Sequence, residues 1–153
     1  MSNNRFWINT ALQDMTPSQF EAVCDGCGRC CVHKLEDEDS GEIVYTDVAC
    51  RLLDTETCRC TDYAQRTERV AACVKMSPDD LAGLAFLPDS CAYRRLDEGH
   101  GLAPWHPLVS GASLVAQNSP ISMAGRVVSE TYIHPDEIGE RLLHDIACSP
   151  RAK

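Results

Sequence analysis

Apolar positions along this chain come in short, interrupted groups, so the pattern predicts many small elements instead of a few long ones. Thr16, Pro17 and Gln19 make a capping-box start ahead of apolar Phe20 and Val23, which predicts a short helix over about 17–23. From Val32 to Tyr45, two β-prone stretches flank the acidic run Glu36 to Asp39 and a Ser40-Gly41 turn, the signature of a hairpin with a solvated tip. Cys50 to Cys60 reads as a second tight turn that brings two cysteines back towards the first group. Ser77-Pro78-Asp79-Asp80 opens a helix that Pro88 ends, and Cys91 to Glu98 predicts another that stops at Gly99. The stretch from Gly101 to Ser122 is loop-rich, with one helix around Leu108 to Ala116, and Arg126 to Ser129 reads as a strand. Pro135 then starts a final helix whose Ile138, Leu142, Leu143 and Ile146 share one face that docks on the body. The expected fold class is α+β: one small cysteine-rich, metal-stapled domain over 1–153 with short helices and hairpins. Its cysteine-rich part spans 24–91 and its helical or loop-like C-terminal part spans 92–153.

Composition sharpens the problem of how such a chain stays folded. Leu, Ile, Val and Phe fill only about a fifth of the 153 positions, close to the level at which chains lack enough apolar area to order themselves. Fourteen basic against twenty-three acidic residues give a net charge of -9, which works against nucleic acid and anionic membranes as partners. The opening MSNNRFWINTALQDM has no continuous apolar run of the secretory kind. The long uncharged stretch from Gly101 to Gly125 is broken by three prolines and by Ser, Asn and Gln, so no membrane span is expected. A cytoplasmic location follows, and in a reducing compartment dense cysteines point to a metal or redox site before a disulfide framework.

Of the ten cysteines, nine fall between 24 and 91: Cys24, Cys27, Cys30, Cys31, Cys50, Cys58, Cys60, Cys73 and Cys91. The centre of the signal is Cys24-Asp25-Gly26-Cys27-Gly28-Arg29-Cys30-Cys31, where two-residue gaps let a turn present sulfurs to one ion and the glycines tolerate positive φ. Adjacent Cys30 and Cys31 are expected to diverge in an extended or turn backbone, which argues for two metal positions or one bridged polynuclear cluster. Two closed four-thiolate sites need eight sulfurs, so one of the nine is in excess. Cys58 and Cys60 are separated by one residue, so in a β conformation they point the same way and either share an ion or leave one of the pair to fill core. Cys148, on the expected last helix, reads as an inert small hydrophobe.

These strings resemble the bacterial CxxCxxCC proteins of YkgJ type, a family described as zinc- or iron-chelating, and in particular its YcgN-like branch. The resemblance rests on CDGCGRCCVHKL at 24–35, VACRLLDTETCRCTDY at 48–63, Arg66 and Arg69 leading to Cys73, LPDSCAYR at 87–94 and WHPLVSG at 105–111. It implies metal chelation without naming a reaction. Matched residue by residue, the family-like ligands are Cys24, Cys27, Cys30, Cys31, Cys50, Cys60, Cys73 and Cys91, with Cys58 additional to that set.

All-thiolate ligation suits zinc and iron–sulfur clusters alike. Zinc is slightly favoured, because Lys34 and Leu35 stand where a bacterial ferredoxin run requires cysteine and proline. Two functional classes follow: a zinc- or iron-chelating binding module, or an iron–sulfur protein in electron transfer or a redox reaction. A metal-free thiol–disulfide switch ranks behind both. Arg29, Arg51, Arg59 and Arg66 either balance thiolate charge or are solvated. His33, two residues past Cys31, is the best histidine candidate for a ligand, while His106 reads as a loop anchor and His100, His134 and His144 as loop, cap and surface positions. No Ser-His-Asp order, P-loop or dinucleotide glycine motif is present, so no enzymatic reaction is assigned.

Overall fold

The computed structural model describes residues 5–70 and 76–149. It is a small mixed α+β structure, with short helices around a four-stranded sheet. Helix α1 (Phe6–Asn9) precedes α2 (Pro17–Val23), which begins on the expected capping box: the Thr16 side chain accepts from the Gln19 N–H, and the Gln19 side chain accepts from the Thr16 N–H. Phe20 and Val23 are the buried face of α2. The later helices are short, α3 (Arg66–Arg69), α4 (Ala92–Asp97) and α5 (Pro107–Ser110).

The expected hairpin forms from β1 (Val32–Glu36) and β2 (Ile43–Ala49), antiparallel, with Lys34 opposite Tyr45 and an irregularity between Val32 and Lys34. Its acidic tip is exposed, and Asp37 organises it by accepting from the backbone N–H groups of Asp39 and Ser40. Along its other edge β2 pairs parallel with β3 (Val128–Ser129) and antiparallel with β4 (Leu142–Leu143).

The C-terminal segment departs from expectation. Pro135–Glu140 is a 3-10 helix, and the chain then enters the sheet as β4 in place of continuing as a long helix. Gly139 weakens helix propagation there. A non-local contact then fixes the alternative: the Arg141 guanidinium donates to both carboxylate oxygens of Asp47 at 2.7 and 3.1 Å, and the Asp47 N–H donates to the Arg141 carbonyl. The apolar residues of that stretch still pack inwards, with Ile146 buried and Leu142 and Leu143 half-buried. Two further helices are also shorter than the pattern implies. Ser77 to Asp80 is a turn leading into a 3-10 helix at Ala82–Phe86, and α5 stops at Gly111, which adopts φ 81.

Among the described residues, two hydrophobic clusters form the core. One joins Leu12, Met15, Phe20, Val23, Leu84, Leu87, Ala92 and Tyr93, with the Phe20 and Tyr93 rings 4.7 Å apart and the Tyr93 hydroxyl donating to the Phe20 carbonyl. The other joins Val32, Tyr45, Ala49, Leu53, Cys58, Met123, Val127 and Ile146. His106 is buried and ties the loop before α5 to the end of α2, donating from Nε2 to the Val23 carbonyl at 2.7 Å while Nδ1 accepts from the Leu108 N–H. The anchoring role expected of it is the one it has. Among the described residues, no helix is long and apolar enough to cross a membrane.

Candidate metal centre

Helix α2 ends at Cys24, where the backbone turns extended and enters a run of tight turns. Gly26 and Gly28 adopt φ 76 and 80, a region that residues with a Cβ enter at a cost. The Asp25 carboxylate accepts from the Cys27 N–H at 3.0 Å, the Arg29 N–H donates to Cys27 Sγ at 3.4 Å, and a 3-10 turn at Arg29–Cys31 carries the last two cysteines of the run. The Cys50 N–H donates to the Cys31 carbonyl at 2.7 Å, and the Leu53–Cys60 bridge brings Cys60 back along the same path. Cys91 arrives from the far side, at the start of α4.

These turns place seven thiols around one cavity of about 550 Å³: Cys24, Cys27, Cys30, Cys31, Cys50, Cys60 and Cys91. All nine described cysteines are free thiols. Cys73 lies outside the described residues. Cys58 does not line the cavity; it is buried in the second hydrophobic cluster with φ 62, and its Sγ donates to the Cys27 carbonyl at 3.3 Å. Cys148 is also apart, its Sγ donating to the Leu87 carbonyl and accepting from Arg94. It sits in the loop after β4, not on a helix. Among the described residues, no three His, Cys, Asp or Glu side chains are gathered as they stand in a group able to hold a metal ion.

Cys30 and Cys31 do not diverge. Their sulfurs are 3.9 Å apart, since the 3-10 turn that carries them sets successive side chains about 120° apart, where extended backbone would point them to opposite faces. That separation matches the edge of a tetrahedron of thiolates around zinc, about 3.8 Å for a Zn–S bond of about 2.3 Å. The pair can therefore share one ion or bridge two.

The thiols differ in acidity. Cys30 is drawn down to about 6 by the hydrogen bond from Cys31, aided by the Lys34 ammonium against the effect of burial. Cys24 and Cys91 are pushed up to about 12, chiefly by burial, and Cys27 is raised by burial and by the Asp25 charge. A bound cation reverses that preference, since metal ligation requires the thiolate. Lys34 Nζ donates to the Cys30 and Val32 carbonyls, and burial lowers its affinity for a proton. Arg29 is buried and donates to the Ile121 carbonyl and Ser90 Oγ. Arg51 donates to the Arg69 carbonyl, Arg66 stacks on the Tyr63 ring, and Arg59 is exposed.

His33 also lines the cavity, and its Nε2 is 3.0 Å from Glu130 Oε1, while Glu130 Oε2 accepts from the Arg51 N–H. Sequence reasoning missed Glu130. It lies 97 residues from His33, and no local pattern marks it. His134 accepts the Asp136 N–H as a helix cap, and His100 and His144 are exposed.

A small α+β fold with a cavity walled by thiols defines a class of cysteine-rich protein whose donors suit thiophilic metals such as zinc and iron. The comparisons agree with that class. Residues 23–92 match the CxxCxxCC family model, described as "Putative zinc- or iron-chelating domain". A UPF0260 protein of Cellvibrio japonicus is 48% identical over 138 residues, covering 90% of this chain and 94% of that one. Another from Gluconacetobacter diazotrophicus is 53% identical over 132 residues, covering 86% and 82%, and one from Parvibaculum lavamentivorans is 49% identical over 138 residues, covering 90% of each. The chain belongs to the UPF0260 family. No solved structure matches it.

Proposed function

We propose that this protein binds zinc or iron through thiolates of Cys24, Cys27, Cys30, Cys31, Cys50, Cys60, Cys73 and Cys91, as a cytoplasmic metal-binding module of the YcgN-like branch. The whole chain acts as one unit, with 92–153 closing over the cysteine-rich part. The observation that carries this reading is the convergence of seven thiols, drawn from positions 24 to 91, on one cavity. Cysteines without a ligand are usually isolated small fillers of a core, as Cys58 is here, and are not gathered around one opening. Metal analysis after anaerobic purification tests it. Stoichiometric zinc or iron in the wild type, lost in Cys27→Ser and Cys30→Ser and kept in Cys58→Ser and Cys148→Ser, is expected. Equal metal content in all four variants overturns it.

A second reading, an iron–sulfur centre that moves electrons, rests on the number of thiols at the cavity: seven exceed the four that one tetrahedral ion takes, and all-thiolate ligation suits a polynuclear iron–sulfur cluster as it does zinc. Acid-labile sulfide and visible thiolate-to-iron absorption in anaerobic protein support this reading, while colourless protein holding stoichiometric zinc removes it.

A further inference from the structure

Asp25 occupies the first gap of the cysteine run and is only 8% exposed. It lines the cavity among the thiols. One carboxylate oxygen, Oδ1, accepts from the Cys27 N–H; the other has no hydrogen-bond partner among the described residues. Nor does Asp25 form an ion pair with any described residue. A carboxylate in such a place is costly unless a cation compensates it. The turn itself does not call for the charge, because Asn makes the same side-chain-to-backbone turn while neutral. Exposed Asp37 illustrates the ordinary use of this turn: it accepts from two backbone N–H groups, and its charge remains in water. Asp25 stands between Cys24 and Cys27 in the chain, its Oδ1 is held by the Cys27 N–H, and it lines the same cavity as those two thiols, which places the carboxylate among the groups it would join.

We infer that Asp25 is a ligand of the metal centre, giving it a mixed sulfur and oxygen donor set in place of an all-thiolate one. This rests on the thiolate metal reading and deepens it. The free carboxylate oxygen supplies a hard donor beside soft ones, and it exchanges for water or a substrate atom more readily than a thiolate does. The centre is thereby suited to taking up and releasing an ion.

Zinc-loaded wild-type protein is the probe. X-ray absorption at the zinc edge should resolve a nitrogen or oxygen shell at about 2.0–2.2 Å beside the sulfur shell at about 2.3 Å. In Asp25→Asn, which keeps the turn acceptor, that light-atom shell should diminish, and zinc retention against a competing chelator should fall about 10–100-fold. Asp37→Asn should change neither. If Asp25→Asn does not fold, Asp25→Ser, which also keeps a turn acceptor, takes its place. An all-sulfur shell in the wild type overturns the inference, as does a light-atom shell and zinc retention unchanged in the variant, which would assign the shell to water or His33. Wild-type protein that retains no zinc or iron overturns the thiolate reading itself, so the two failures are distinguishable.

Discussion

Gly28→Ala tests the geometry that separates Cys58 from the other clustered cysteines. Gly28 has φ 80, where an L-residue costs about 1–2 kcal/mol. A Cβ at this position would also stand 2.5 Å from Cys58 Sγ, while Cys58 Cβ and Met123 Cβ would remain at ordinary contact distances of 3.7 and 3.5 Å. Cys58 is 5% exposed within a packed cluster, so its sulfur cannot swing into solvent without opening that cluster. Overpacking of this kind costs about 1–3 kcal/mol. The single variant should therefore lose about 2–5 kcal/mol, a large part of a domain stability of roughly 5–15 kcal/mol. Cys58→Ala removes the atom in conflict and leaves only the backbone strain. The double variant should then be about 1–3 kcal/mol more stable than the sum of the two single effects predicts. Urea unfolding of the four proteins measures this coupling. Additivity within about 0.5 kcal/mol would show that the sulfur yields freely, and it would refute the argument that Gly28 is required by close approach.

Three further changes have expected outcomes. His106→Ala strands the Val23 carbonyl and the Leu108 N–H and opens a void, so thermal unfolding should show a loss of about 2–5 kcal/mol; a change below about 0.5 kcal/mol contradicts the anchoring role. Glu130 is held below its ordinary 4.5: burial opposes its ionisation, but the Arg51 N–H and His33 outweigh it. Its contribution to stability is therefore present above about pH 4.5 and lost as pH falls below that value, and Glu130→Gln should lower stability at pH 7 while flattening the acid limb of a pH–stability profile. Metal removal by a chelator should unfold the cysteine-rich part, because a structural zinc contributes on the order of 10 kcal/mol, as much as a whole domain; identical circular dichroism melts with and without chelator would refute this.

What could be read in the sequence was what local chemistry decides. The start of α2 was legible because Thr16 and Gln19 cap each other within four residues, and the hairpin because alternating apolar residues flank a turn that Asp37 closes by itself. The final helix was misjudged because the deciding contact, Arg141 on Asp47, spans 94 positions and outweighs a respectable apolar periodicity. The candidate site divides in the same way. Spacing and family resemblance named the cysteines, and the resemblance set Cys58 aside; its burial beneath Gly28 depends on a positive φ at residue 58 that nothing in Thr57-Cys58-Arg59 announces. The partners from other segments, Glu130 for His33 and Ile121 for Arg29, were not legible at all. The burial of Asp25 was hidden too, since an aspartate between two cysteines reads as an ordinary turn residue.

The cavity lies where the two hydrophobic clusters meet, and this accounts for how so sparse an apolar interior suffices. Phe20, Leu87, Ala92 and Tyr93 from the first cluster and Val32 and Leu53 from the second all line it. Among the described residues each cluster has only eight buried members, small for an independently stable unit. The segments that carry them are tied by the Tyr45 hydroxyl on the Phe86 carbonyl at 2.6 Å, beside Leu87 of the first cluster, and by Arg94, beside Tyr93, on Cys148, which packs against the second. The thiols approach from both sides, Cys24 from the end of α2 and Cys91 from the start of α4 in the first cluster's territory, Cys31 and Cys60 from the strand side in the second's. An ion bound between those sets would cross-link two weak cores into one cooperative unit. Evenly dispersed cysteines would fill volume without joining anything, so their concentration at this seam is the arrangement that a chain with little apolar area needs if metal is to supply the missing cohesion.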